Sequence, residues 1–221
     1  MAQISLPLFM TKRTKILFGI LSAVVALPIY MIPNHHPFIT PTLLPMNWID
    51  LTVPFIPETV WIYSSEYLLF YSAYFVAKDN QNVNKYLYSF FFLQLVSSII
   101  FIIFPTTFPR DLFPLVADGS LTYRFFSHLR EVDAPTNCLP SLHVSSCYLT
   151  SFIFLDESKK KFRFYFIWAS MVALSTLTTK QHYLIDVITG LGMAYAFYWF
   201  FHKKIKYYQP NWWYMSSNLS K

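Results

Sequence analysis

Charge is scarce in this chain: Asp, Glu, Lys and Arg make up 13% of its 221 residues, against roughly 25% in an ordinary soluble domain. Only two cysteines occur, Cys138 in a loop and Cys147 in an apolar run, which excludes a disulfide framework and offers no metal-ligand spacing. Both read as structural. Four glycines and fourteen prolines are the interruptions, and no internal repeat or low-complexity segment divides the chain. What is abundant is apolar: 55% hydrophobic and 20% aromatic residues. Such a composition belongs to a membrane protein, and the length suits one domain of several spans.

In chain order, TKRTK at 11–15 precedes an apolar run over 16–32 with Pro28 inside it. No small-x-small cleavage site follows, so the run reads as an uncleaved first helix rather than a signal peptide. Residues 34–58 are rich in proline and aromatics, as in an external loop lying partly on a membrane surface. The adjacent pair His35-His36 cannot present two ligands on one helix face. Further spans are expected over 60–77, 86–104, 142–155, 164–177 and 183–201, the third stopping at Pro105. Two of them, 142–155 and 164–177, fall short of the roughly 20 residues that a crossing needs, so their polar ends must lie inside protein or a wet cavity. Glu66 is an intramembrane carboxylate, a functional candidate or the partner of a neighbouring helix. The connection 105–140 is too long to be mere linkage and should fold over something.

The expected architecture is therefore all-α, a polytopic bundle of six transmembrane helices. Residues 1–59 form a first helix with an external loop, 60–201 the main bundle, and 202–221 a tail with the aromatic run NWWYM at the interface. With the N-terminus in the cytoplasm, all but four of the 17 lysines and arginines fall on the cytoplasmic side, as the positive-inside rule asks. The four are Arg110, Arg124, Arg130 and Lys180, next to the two histidine stretches described below. Membrane orientation then accounts for the net charge of +6, and nucleic acid is not needed as a partner.

The chemistry concentrates in two stretches. In STLTTKQHYLID, residues 175–186, His182 and Asp186 stand four apart, so on a helix the carboxylate can orient the ring and stabilise its charged form. In Pro140-Ser141-Leu142-His143 a second histidine opens an apolar run. Six spans put His143, His182, Asp186 and Arg110 at one depth near the outer surface. Histidines, hydroxyls and cations around a helix N-terminus suit an oxyanion, because the first amides are unpaired and the dipole favours negative charge. Phosphate is the natural guest.

These residues resemble the motifs of the type 2 phosphatidic acid phosphatase superfamily of integral-membrane lipid phosphatases and phosphotransferases. Pro140-Ser141-Leu142-His143 is similar to that family's Pro-Ser-Gly-His motif. Ser175-Thr176, five residues, His182, three residues and Asp186 keep the spacing of its Ser-Arg…His…Asp motif. The first motif is matched in part: Arg110 is in place, Ile103 stands where lysine would be, and Asp111 replaces proline. Leu142, Thr176 and the run TTKQHY look closer to the inositol phosphorylceramide synthase-like branch. The resemblance implies a phosphohistidine mechanism with His182 as nucleophile, Asp186 as its orienter and His143 as general acid. It further implies that Arg110, Ser141, Ser175 and Thr176 hold the phosphate of a membrane lipid, with Lys180 substituting for the missing basic residues. Neither metal nor other cofactor is expected, and the site should face the periplasm or a lumen. Two rivals remain: a metal enzyme using two histidines and Asp186, against which Arg110 and Lys180 would repel a cation, and a non-catalytic lipid binder whose decayed first motif is its best support.

Overall fold

The computed structural model describes residues 4–211; the aromatic tail from Trp212 onward and Lys221 lie outside the described residues. The chain opens with strand β1 (Ser5–Pro7) and helix α1 (Lys15–His35), which continues through Pro28 and Pro33. After β2 (Thr42–Leu43) and the short α2 (Trp48–Thr52) come α3 (Val60–Ser64) and α4 (Glu66–Val76). Next are α5 (Asn80–Ile103), β3 (Thr106–Thr107) and α6 (Leu121–Val132). The chain then forms α7 (Leu142–Phe152), α8 (Lys159–Thr178) and α9 (Leu184–Trp199), the last running into a wider turn at Phe200–Lys204 and then β4 (Lys206–Tyr208). The protein is thus predominantly helical, as its apolar runs require.

Helix α7 is the hub, packed by α4, α5, α8 and α9. His143 is its one residue that is not fully buried. A helix so rich in hydroxyls can be buried because they return to its own carbonyls: Ser145 to Leu142 (3.1 Å), Thr150 to Ser146 (2.7 Å) and Ser151 to Tyr148 (2.7 Å). Small side chains also let neighbours approach closely. The outer helices are inverted relative to a soluble protein. Ile16, Ile20, Val24 and Leu27 of α1, and Phe164, Ile167, Met171 and Leu174 of α8, are exposed at helical spacing, forming apolar stripes of the kind lipid covers.

Three helices are long and apolar enough to cross a membrane: Lys15–His35, Asn80–Ile103 and Leu184–Lys204. Three of the six expected spans are therefore present as such, with α5 ending just before Pro105 as expected. The run 60–77 is interrupted at Ser65, whose hydroxyl donates to the Ile62 carbonyl (2.6 Å) and accepts from Trp168 Nε1 (2.8 Å). The run 142–155 becomes an 11-residue helix enclosed by protein, so its hydrophobicity is that of a core. Helix α8 has 20 residues, but its first turn is the charged KKKFR.

Contacts sort the two ends of the bundle. At one end Lys15 Nζ donates to the Ala77 carbonyl (2.6 Å), Glu157 accepts from the amides of Lys78 (3.1 Å) and Asp79 (3.4 Å), and Lys203 Nζ meets Asp156 (2.8 Å). There too β1 pairs in parallel with β4. The opposite end carries α2, α6, the short β2–β3 pairing and both histidine stretches.

Candidate active site

The α8–α9 turn carries His182. The Thr176 carbonyl accepts the amides of Gln181 (3.0 Å) and His182 (3.3 Å), fixing where the imidazole leaves the backbone. Asp186, in the first turn of α9, is fully buried. Its Oδ2 accepts from the Tyr183 amide (2.9 Å), capping the helix, and meets His182 Nδ1 at 3.2 Å. The sequence suggested a shared helix face, but His182 stands in the turn before α9, and the pair forms because Asp186 caps the helix start next to it.

Across from it, α7 begins at Ser141, whose Oγ accepts from the Val144 amide (3.3 Å) while its own amide donates to the Asp186 carbonyl (3.1 Å). That second bond ties the starts of α7 and α9 together. Gly190 permits it, since a Cβ there would lie 2.7 Å from the Ser141 carbonyl oxygen. The result is direct: His182 Nε2 and His143 Nδ1 are 3.4 Å apart. His143 Nε2 is met by the Tyr63 hydroxyl (2.7 Å) and by Glu66 Oε1 (3.5 Å). The groups run in order Asp186, His182, His143, Tyr63 and Glu66, drawn from α9, the α8–α9 turn, α7, α3 and α4. The amides of Leu142 and His143, at the open start of α7, have no partner among the described residues.

The other expected residues are placed less uniformly. The Ser175 and Thr176 hydroxyls donate to the carbonyls of Val172 (2.6 Å) and Ala173 (2.7 Å), which leaves their oxygens able to accept only. Arg110 reaches the neighbourhood through a relay. Its guanidinium binds the Asp133 carbonyl and carboxylate (3.3 Å to Oδ2), Asp133 accepts from Tyr30 (2.5 Å), and the Tyr30 ring stands 6.1 Å from that of His143. The Arg110 Nε is buried and has no partner among the described residues. Ile103, in the position of the missing lysine, is exposed at the end of α5. Arg130 lies over the rings of Phe126 (4.7 Å) and Phe55 (5.4 Å), and burial, then Arg110, pulls its pKa down to about 10.

Lys180 departs from expectation. Its ammonium donates to the backbone carbonyls of Asp50 and Val53, both at 2.6 Å, and lies over the Phe113 ring. Two of its three protons are taken, because the residue adopts a left-handed backbone (φ 55°) that turns the side chain into the 47–53 segment. Burial lowers its pKa, and the Asp50 carboxylate opposes the shift.

The sequence did not point to Tyr63, Tyr30, Asp133 or Asp50; only Glu66 announced itself, as a carboxylate within an apolar run. Cys138 Sγ, a His182 nitrogen and an Asp186 oxygen come within 4.8 Å of one another. Asp186 Oδ2 is shared by two N–H groups, while its Oδ1 has no partner among the described residues.

A helical bundle with three span-length apolar helices and an Asp–His–His array at one end suits an integral membrane protein. A family model described as the PAP2 superfamily matches residues 38–200, and the chain belongs to that superfamily, whose members are generally phosphatases. An uncharacterized protein of Methanocaldococcus jannaschii is 38% identical over 66 residues, which make up 30% of this chain and 27% of that protein. The chain thus covers about a quarter of the length of this curated relative.

Proposed function

We propose that the protein moves a phosphate group of a membrane lipid through a covalent intermediate on His182. The observation that carries this reading is the 3.2 Å contact of His182 Nδ1 with Asp186 together with the 3.4 Å contact of His182 Nε2 with His143 Nδ1. An acceptor carboxylate assigns the His182 proton to Nδ1 and leaves the Nε2 lone pair free. His143 then carries its proton on Nδ1, facing that lone pair, while its Nε2 accepts from Tyr63. The network assigns both tautomers.

In the reacting state His143 is the imidazolium, with a second proton on Nε2 facing Tyr63 and Glu66. In the forward step His182 Nε2 attacks phosphorus, the phosphorus–oxygen bond to the lipid breaks, and the proton on His143 Nδ1 goes to the leaving oxygen, which leaves His143 neutral. Asp186 balances the charge that grows on His182, and Glu66 stands ready to balance His143 when it is protonated. In the second step water or an alcohol attacks phosphorus, the phosphorus–nitrogen bond breaks, and the incoming proton returns to His143. The non-bridging oxygens are met by the amides of Leu142 and His143 at the start of α7, with Arg110 behind them through Asp133 and Tyr30.

Cations that remain uncommitted are few: Arg110 is paired with Asp133, and Lys180 with carbonyls. Such a site suits a singly charged phosphodiester better than a doubly charged monoester, and so favours head-group exchange over simple dephosphorylation. We place the site at the outer face, with both termini in the cytoplasm. Purified protein given labelled phospholipid, with and without an alcohol acceptor, tests the whole reading. We expect acceptor-dependent product, a base-stable, acid-labile label on the wild-type protein, and neither in H182A. H143A should lose about 10²–10⁴-fold with poor leaving groups and much less with good ones. Wild-type protein that binds lipid without turning it over would support the decayed-site rival instead.

A further inference from the structure

The stretch that holds His182 is braced from outside the bundle by residues 47–59. On one side of His182, the Ile56 amide donates to the Thr178 carbonyl (2.8 Å), and the hydroxyls of Thr59 and Thr178 are 2.7 Å apart. Next to it, the buried Lys180 ammonium holds the carbonyls of Asp50 and Val53. On the other side, Asp50 Oδ1 accepts from the Leu184 amide (2.7 Å), the first of α9. Asp50 is itself fixed, since its Oδ2 accepts from the Asn47 amide (3.0 Å) and the Asn47 side chain accepts from the Asp50 amide (3.0 Å). One residue therefore grips the turn twice: Asp50 by its carbonyl to a side chain two positions before His182, and by its carboxylate to a backbone amide two positions after it.

We infer that residues 47–59 are a splint for the nucleophile, that Asp50 and Lys180 are its paired clasps, and that Lys180 is a positioning residue rather than a phosphate ligand. The inference rests on His182 being the attacking group. Its logic is that of catalytic orientation, in which a misplacement of about 1 Å, far from the bond that breaks, can slow a reaction about 10²-fold. The clasp also accounts for a lysine in a left-handed conformation (φ 55°): this backbone turns the ammonium toward the splint and lets the Thr176 carbonyl take the next two amides.

The test uses the full-length protein in detergent, with K180M, D50A, the double variant and H182A. Three quantities are read: turnover, the inhibition constant of inorganic phosphate, and hydrogen exchange at the Ile56 and Leu184 amides. The splint predicts that K180M and D50A each lose about tenfold or more in turnover and exchange both amides faster. It predicts a phosphate inhibition constant within about twofold of wild type, and a double variant no worse than the worse single one, as for residues of one unit. If K180M does not fold, D50N carries the test, since its amide can replace only one of the two acceptors. Two results overturn the inference: wild-type turnover and exchange in K180M, or a phosphate inhibition constant raised tenfold or more while both amides stay protected. H182A separates the two claims. It should be inactive with wild-type exchange, whereas an active H182A refutes the nucleophile and leaves the exchange result to judge the clasp alone.

Discussion

Replacing Gly190 by alanine tests how tightly the site depends on the seam between α7 and α9. The new Cβ would sit 2.7 Å from the Ser141 carbonyl oxygen and 3.2 Å from Val144 Cβ. Ordinary contact begins near 3.4 Å, so the helices must part by about 0.7 Å, and the obstacle is backbone that no rotamer change can clear. Overpacking of this kind costs about 1–3 kcal/mol, or roughly 2–12 °C in a domain of this size. Because the same seam holds the 3.1 Å bond from the Ser141 amide to the Asp186 carbonyl and the 3.4 Å gap between the histidines, turnover should fall about tenfold or more.

Gly192 supplies the control. It lies on the same helix, and a Cβ there meets nothing within 4 Å, so G192A should gain about 0.5–1 kcal/mol from the lower entropy of its unfolded chain. Thermal unfolding in detergent and turnover are measured for both variants. A G190A protein as stable and as active as wild type would refute the close packing of α7 on α9, and with it the account of how the histidines meet. A G192A protein as damaged as G190A would show that helix glycines matter here for some reason other than this contact.

Two further outcomes are expected. The Glu157 carboxyl lies below its ordinary range: burial opposes this, but hydrogen bonds from Lys161 and from the amides of Lys78 and Asp79 outweigh it. A depressed carboxylate stabilises above its unfolded value and loses that contribution as pH falls through the folded one, so E157Q should lower the midpoint by a few degrees at pH 7, for about 1 kcal/mol. The gap between the two melting curves should close on acidification below about pH 4; curves that stay parallel would remove this cap from the account. For orientation, reporters fused at Lys160 and after Lys85 should report cytoplasm and one at Gly119 the exterior, whereas an exterior signal at Lys160 would invert α7–α9 and move the site to the other face.

The sequence made the candidate site groups legible because each stands at or just before a helix start. A histidine and an aspartate four apart meet across the turn into α9, where Asp186 caps the helix, and a Pro-Ser before Leu142-His143 is a helix beginning with its cap. It was less informative wherever a side chain's direction depends on residues far along the chain. Lys180 read as a phosphate ligand from its neighbours, yet its direction is set by Asp50 and Val53, 130 and 127 positions away. Tyr63 and Tyr30 were hidden among many aromatics, and the Arg110–Asp133 pair joins two stretches of an irregular loop. The count of spans is met in part, three of six, for a related reason. Hydrophobicity reports that a segment avoids water, not whether lipid or protein surrounds it, so the enclosed α7 and the lipid-facing α1 look alike in one dimension.

The two histidines, alike in the sequence, are held in different ways, and their proposed roles follow from that. His182 is fixed from several directions: its amide by the Thr176 carbonyl, its Nδ1 by Asp186, and the flanking backbone by residues 47–59. His143 is held through its ring, by Tyr63 and Glu66 at Nε2, with its Nδ1 toward the partner histidine. Nitrogens 3.4 Å apart leave no space between them for a phosphorus atom and its leaving oxygen. The proposed mechanism then has one ring turn aside when substrate enters, and we assign that movement to His143. As His143 withdraws, it carries away the proton that had capped the lone pair of His182, so the same movement uncovers the nucleophile and places the acid on the far side of the phosphate. Tyr63 and Glu66 stand at Nε2, on the side of the His143 ring away from His182. A carboxylate there offsets the cost of moving a protonated imidazole into an apolar bundle, which gives Glu66 a reason to occupy so costly a place.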